Sequence, residues 1–240
     1  MRTPIVIYGS TGHALAVNEQ LLMYGPRYQT VAYIDDIHAP GEVQGVPVIG
    51  FEVWAQAYRD IPVLISIGMP AGRRRLADRI RAAGGSFVTL FDRVPPIASD
   101  FEAGDGTFVG QPAYIGPNVR FGQHVQMQPM ASVGHDSRVG DYVTICACQI
   151  AGWVLIEDDV FVGIGSVVVH GSAARPLVIG RGAVIGAGAV IMKSVPPGAV
   201  MVGNPARDMS LAARRKARKT ARGEPGVVAA VSGALAGDET

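Results

Sequence analysis

The chain holds five histidines, His13, His38, His124, His135 and His170, and His135 alone is followed by an acid, in Val133-Gly-His-Asp-Ser-Arg-Val-Gly140. An imidazole that titrates near neutrality can take a proton from an attacking nucleophile, and a neighbouring carboxylate orients the ring or raises its basicity. His135 and Asp136 are therefore the candidate catalytic pair, with a satisfied structural histidine as the alternative. His124 and His170 read as surface residues. His13 ends a different segment, Tyr8-Gly-Ser-Thr-Gly-His13, which follows an apolar run and opens a helical stretch. There Gly9 and Gly12 let backbone approach a ligand, and a helix N-terminus favours anions. The Gly9-x-x-Gly12 spacing is shorter than the dinucleotide fingerprint and argues against a nicotinamide cofactor. Cys146 and Cys148, one residue apart, give neither a disulfide framework nor zinc-knuckle spacing and read as small wall residues.

These residues must be positioned by two kinds of element. Val109, Ile115, Phe121, Met127, Val133, Val139 and Ile145 recur every sixth residue, usually with glycine next, and two places earlier stand small or branched residues such as Thr107, Ala113 and Val119. The beat slips by one at Ile150, continues through Ile156, Val162 and Val168, breaks over 170–176, and resumes at Ile179, Ile185 and Ile191. Neither a helix nor an open sheet has that period, so it implies short strands joined by tight corners, about 18 residues to each triangular turn. One apolar side chain per hexapeptide is expected inside. His135 falls at a corner and should project into a groove rather than into the apolar column.

Residues 4–92 read as alternating strands and helices. The strands are Ile5–Tyr8, Val31–Ile34, Val63–Ile67 and Phe87–Leu90, and the helices are Ala14–Met23 and Ala71–Ala83. This pattern implies a small parallel sheet whose ligands meet the carboxyl ends of its strands, where Asp35-Asp36 falls. The expected fold class is α/β plus all-β, with a Rossmann-like domain over 1–95, a parallel β-helix over 96–207, and a basic helix with a disordered tail over 208–240.

The coil, its end Gly180-Arg-Gly-Ala-Val-Ile-Gly-Ala-Gly-Ala-Val-Ile-Met-Lys193, Val195-Pro-Pro-Gly198 and Val202-Gly-Asn-Pro-Ala-Arg207 resemble the hexapeptide-repeat acyltransferases. Together with Tyr8–His13, Asp35-Asp36 and Ser66-Ile-Gly68 before Arg73-Arg-Arg75, they are similar to the NeuD/PglD-like sugar acyltransferase branch. The resemblance spans about residues 4–207 and implies a left-handed coil, a homotrimer with sites between coils, and acetyl-CoA as acyl donor. It implies that His135 is the general base and that Gly152 offers an oxyanion amide. Gly163, Ile164, Ala187 and Gly188 would line the pantetheine, Lys193 and Arg207 would meet phosphates, and Pro205 would bound the adenine. Gly9, Ser10, Gly12, His13, Asp35, Asp36, Ile67 and Gly68 would hold a nucleotide-sugar, the carboxylates accepting from base, ribose or sugar. One departure is expected to matter: Thr144 stands where many relatives carry a second histidine, and the shortened coil after it would set Cys146 and Cys148 beside the acyl site.

The implied reaction is N-acetylation of a nucleotide-linked amino-sugar. Alternatives are O-acetylation of a sugar or sialic acid hydroxyl, a non-catalytic nucleotide-sugar or coenzyme A binder, and a γ-type carbonic anhydrase, which needs three histidines on zinc. No metal is expected. A net charge of +1 argues against whole-protein electrostatic binding of nucleic acid. No membrane-length apolar run is evident, and the cytoplasm is the expected compartment.

Overall fold

The structure is a computed structural model and describes residues 2–23, 27–91 and 96–210. The expected basic helix and tail lie beyond it, apart from their first residues, and the expected boundary at 95 and 96 falls beside 92–95, also outside the described residues.

Strand β1 (Thr3–Tyr8) leads into α1 (His13–Met23) and β2 (Tyr28–Ile34). A hairpin, β3 (Gly41–Val43) and β4 (Val46–Ile49), precedes α2 (Phe51–Ala57), β5 (Val63–Ile65) and α3 (Pro70–Ala82). The sheet order is β3-β4-β2-β1-β5, parallel except for β3 against β4. Ile5, Val6, Ile7, Val63, Leu64 and Ile65 are all 0% exposed, so both faces of the central strands are covered, which explains their unbroken apolar runs. Pro70 opens α3, where a missing N–H costs nothing. The hairpin and α2 carry no strong periodic signal and were not expected. Phe87–Leu90 is not a strand. It makes two isolated bridges, Phe87 with Val63 and Leu90 with Phe108, because the chain leaves the sheet there and climbs onto the coil.

The coil is a left-handed parallel β-helix with three faces. The first stacks Phe108–Val109, Gln126–Met127, Thr144–Ile145, Phe161–Val162, Val184–Ile185 and Val200–Val202, closed by the antiparallel Arg207–Asp208. The second stacks Tyr114–Ile115, Ser132–Val133, Gln149–Ile150, Val167–Val168 and Val190–Ile191. The third stacks Glu102–Ala103, Arg120–Phe121, Arg138–Val139, Val154–Ile156 and Leu177–Ile179.

Two side chains per hexapeptide point inward rather than one. Val119, Val125, Val143 and Val160 are 0% exposed, and the last three are as completely buried as Met127, Ile145 and Val162 two places after them. Residues two apart in a strand share a face, so the small residue before each large one fills the same column. Each buried Val or Ile contributes roughly 1.5–3 kcal/mol relative to exposure. The one-residue slip falls at the corner between first and second faces. The equivalent corners on the turns before and after hold Met130 (φ 66°) and Gly165 (φ 68°), whereas Cys146-Ala-Cys148 dispenses with a left-handed residue. Cys148 takes the small inward position at 2% exposure.

The sheet docks on the coil through α3, against the corner between third and first faces. Arg74 pairs with Asp159 at 2.8 Å and lies 4.0 Å over the Tyr142 ring. Arg81 donates to the Tyr142 hydroxyl at 2.9 Å and meets His124 Nε2 at 3.1 Å. His124 is therefore buried at 0% exposure and stacked on Tyr142, not a surface residue.

Candidate active site

His135 lies at the corner between second and third faces, on the turn after Ser132–Val133. Its side chain is 54% exposed, so it projects out of the coil as the apolar column requires. Nδ1 sits 2.7 Å from Asp136 Oδ2, and Asp136 Oδ1 accepts 2.6 Å from Asn118 Nδ2, one turn below. Those hydrogen bonds, from His135 first and Asn118 second, hold the Asp136 carboxyl below its ordinary value. Asp136 adopts φ 57°, and Asn118 (57°) and Trp153 (59°) repeat that conformation below and above it. The corner is thus a ladder of left-handed residues. With Nδ1 committed to the carboxylate, Nε2 is the ring nitrogen left with a lone pair able to accept a proton.

Gly152 stands on the next turn, directly above His135. A β-carbon there would come within 2.7 Å of His135 Nε2, so the absence of a side chain is what leaves room for the imidazole. Trp153 donates its amide to the His135 carbonyl at 3.0 Å, which fixes the backbone around the ring. Among the described residues, no acceptor engages the Gly152 amide. Lys193 is exposed at the same corner, above the 170–176 insertion.

The other expected donor-site residues lie elsewhere. Gly163, Ile164, Ala187 and Gly188 occupy the corner between first and second faces, so in one chain they sit across the second face from His135. Ile164 is 61% exposed. Gly163 has its own packing reason: a β-carbon would meet the Ile185 carbonyl at 2.7 Å and the Ala187 amide at 2.8 Å. Pro205 and Arg207 are exposed beside the last rung, where Ala206 donates to the Val190 carbonyl at 2.9 Å. Cys146 and Cys148, expected beside the acyl site, share the corner of Gly163 and in one chain lie across the second face from His135. Burial raises both thiols, Cys148 to about 12, which opposes covalent catalysis.

The residues expected to hold a nucleotide-sugar gather at the carboxyl edge of the sheet, over the first face. Gly9 needs its φ of 109°, and a β-carbon would meet Ser66 Oγ at 2.9 Å. Gly12 (φ 46°) leads into α1. His13 Nε2 lies 3.0 Å from Gln126 Oε1 on the coil, while Gln126 Nε2 donates to the Ile65 carbonyl at 2.9 Å. That second bond fixes the amide orientation, so His13 donates through Nε2 and a neutral ring leaves Nδ1 as acceptor.

Asp35 and Asp36 are already engaged. Asp35 Oδ1 accepts from the Ile37 and His38 amides, and Oδ2 from Ser10 Oγ at 2.5 Å and His38 Nδ1 at 3.0 Å. Burial pushes its carboxyl up, yet the combined hydrogen bonds hold it well below the carboxylate range. All its lone-pair positions are filled, so Asp35 builds the loop and has no acceptor left for a ligand hydroxyl. Asp36 accepts from Tyr8, Arg79 and the Phe51 amide, and keeps one position on Oδ1. Arg79 in turn stacks 3.6 Å over the Phe51 ring.

Thr144, which stands where many relatives are expected to carry a second histidine, is buried on the first face and donates to the Gly68 carbonyl at 2.5 Å. Sequence reasoning missed Arg73, Gln126, Asn118 and Tyr8 as organisers of these sites. The run Arg73-Arg-Arg75 was the visible signal for one of them. Gln126 occupies an outward hexapeptide position whose identity the period leaves unconstrained.

The fold and the corner site define a class, the hexapeptide-coil acetyltransferases that carry an N-terminal α/β domain. Residues 4–80 match the PglD N-terminal domain family. The chain is 31% identical over 195 residues to GDP-perosamine N-acetyltransferase of Escherichia coli O157:H7, covering 80% of this chain and 88% of that one. It belongs to the family of PglD-like sugar acetyltransferases that includes this relative. Solved structures agree. WeeI from Acinetobacter baumannii AYE superposes with TM-score 0.68 at 28% identity, over 86% of this chain and 100% of that one. The acetyltransferase domain of PglB from Neisseria gonorrhoeae FA1090, in complex with acetyl coenzyme A, gives TM-score 0.76 at 25% identity, over 87% and 100%. The chain is accordingly an acetyltransferase. Among the described residues, no group of three His, Cys, Asp or Glu could hold a metal, and no helix is long and apolar enough to cross a membrane.

Proposed function

We propose that this chain transfers the acetyl group of acetyl-CoA to the amino group of a nucleotide-linked sugar. The observation that carries the reading is the His135 corner: an exposed imidazole, polarised by Asp136 at 2.7 Å and lying against a glycine whose β-carbon it would exclude. His135 Nε2 takes the proton from the acceptor amine as nitrogen attacks the thioester carbonyl. The tetrahedral oxyanion meets the Gly152 amide, and the protonated ring returns its proton to the departing thiolate. Asp136 fixes the tautomer and stabilises the imidazolium.

The donor would run along the first-to-second corner, past Gly163, Ile164, Ala187 and Gly188, toward Pro205 and Arg207. That corner and His135 flank the second face, so a second copy packed there joins one chain's base to the other's donor groove. Exposed Tyr114, Ile164, Val167 and Met192, on that face and its edges, suit such an interface, and a closed ring of three copies satisfies every site. Lys193 then faces donor phosphates from the His135 side. The nucleotide lies at Gly9, Ser10, Gly12 and His13, with Ile67 and Gly68 opposite and Asp36 supplying its remaining acceptor. GDP-perosamine is the substrate named for the 31%-identical relative, which makes a GDP-linked 4-amino-sugar the first acceptor to try.

Product analysis tests the bond formed. Incubation with acetyl-CoA and GDP-, UDP- or dTDP-linked amino-sugars should yield an acetamide that survives neutral hydroxylamine. A hydroxylamine-labile product would move the reaction to a hydroxyl.

A further inference from the structure

We infer that Arg73 is a positioning residue, which pins the Ile67–Gly68 loop of the nucleotide-sugar crevice to two successive turns of the coil. The inference rests on the reading above for the ligand, but not for the clamp. Arg73 is 0% exposed and reaches from α3 straight into the coil. Nε donates to the His124 carbonyl at 2.7 Å, on one turn. Nη2 donates to the Tyr142 carbonyl at 2.7 Å, the Val143 carbonyl at 3.1 Å and Thr144 Oγ1 at 3.0 Å, on the next. Nη1 turns back to the sheet domain, to the Ile67 carbonyl at 2.6 Å and the Gly68 carbonyl at 3.2 Å. Thr144 closes the circuit by donating to Gly68.

None of those acceptors is a carboxylate. Asp159 pairs with Arg74 and acts on Arg73 only at a distance, so among the described residues the hydrogen-bond acceptors of this buried cation are neutral oxygens. Burial pulls its pKa down to about 9. Such an arrangement is costly compared with an aliphatic side chain of similar size. What it delivers is geometry, because a planar fork fixes several carbonyls at once where an ammonium cannot. The turn it grips through Tyr142 and Thr144 is the continuation of the strand that leaves His135. The loop it grips is the one opposite Gly9 and His13. Arg73 therefore sets the register between the acceptor loop and the coil, and Thr144, standing where relatives are expected to carry a histidine, serves that register.

The test compares full-length wild type with Arg73→Lys, and with Thr144→Val as a milder variant that keeps Arg73. Two readouts are taken: amide hydrogen exchange over residues 66–69, and separate KM values for the nucleotide-sugar and acetyl-CoA. Both variants should speed exchange in the loop and raise the nucleotide-sugar KM by about tenfold, with the acetyl-CoA KM within about twofold of wild type. Unchanged exchange with both KM values unaltered overturns the inference, as does a loss confined to kcat. Absence of wild-type turnover on every nucleotide-sugar overturns the functional reading instead, and the exchange measurement still judges the clamp.

Discussion

The His135–Asp136 pair is a short chain of hydrogen bonds that begins at Asn118 and ends at an exposed Nε2. Replacing Asp136 by Asn keeps the shape but removes the charge that favours the imidazolium. We expect kcat to fall by about 10- to 100-fold with both KM values nearly constant, measured at saturating acetyl-CoA. An unchanged kcat would reduce Asp136 to a corner former. Asp35 makes a different prediction, about stability. Its carboxyl is held below the unfolded value by Ser10, Ile37 and His38, so the ionised form stabilises the fold. That contribution is present above the unfolded carboxylate pKa of about 3.9 and is lost as pH falls through the lower folded value. Asp35→Asn should therefore lower Tm at pH 7 and narrow its gap from wild type in acid. A gap that holds steady down to pH 3 would contradict the assignment.

Among the elements, the corners of the coil separate glycines needed for packing from Gly152, whose proposed part is in the chemistry. A β-carbon at Gly134 would meet the Gly152 amide nitrogen at 2.5 Å and the Ala151 carbonyl carbon at 2.6 Å, which are backbone and cannot step aside. Gly134→Ala should cost about 1–3 kcal/mol by thermal denaturation. At Gly152 the obstacle is the His135 ring, which can swing out. Gly152→Ala should unfold near the wild-type temperature yet lose most of its kcat, and equal stability losses in the two variants would refute the distinction. Much of this element was legible in the sequence, because a six-residue period has few structural solutions and places His135 at a corner unaided. The second inward residue of each hexapeptide was present in the pattern as Val119, Val125 and Val143, but the six-residue beat alone points to one inward side chain per repeat. The domain interface was not legible. Arg73, Gln126 and Thr144 act through carbonyls distant in sequence, and neither period nor composition encodes which face of a coil another domain will cover. For the same reason the acids at the end of β2 could be placed at the ligand edge, while the saturation of Asp35 by its own loop could not be foreseen.

For the whole molecule, His135 and the corner of Gly163 lie on opposite edges of the second face, so the proposed site is complete only when copies assemble. A His135→Ala chain and an Ile164→Asp chain, each inactive alone, should regain about a quarter of wild-type activity when coexpressed, because random mixing leaves that share of interfaces intact on both sides. A mixture as inactive as its parents would place the whole site within one chain. The central claim is that this molecule acetylates a nucleotide-linked amino-sugar with His135 as its base. Thiol release from acetyl-CoA, followed across GDP-, UDP- and dTDP-linked amino-sugars with wild type and His135→Asn, tests it most directly. The account predicts turnover on one nucleotide-sugar class and a loss of about 10²- to 10⁴-fold in the variant. Thiol release that persists undiminished in His135→Asn, or that no member of the panel elicits from wild type, would contradict it.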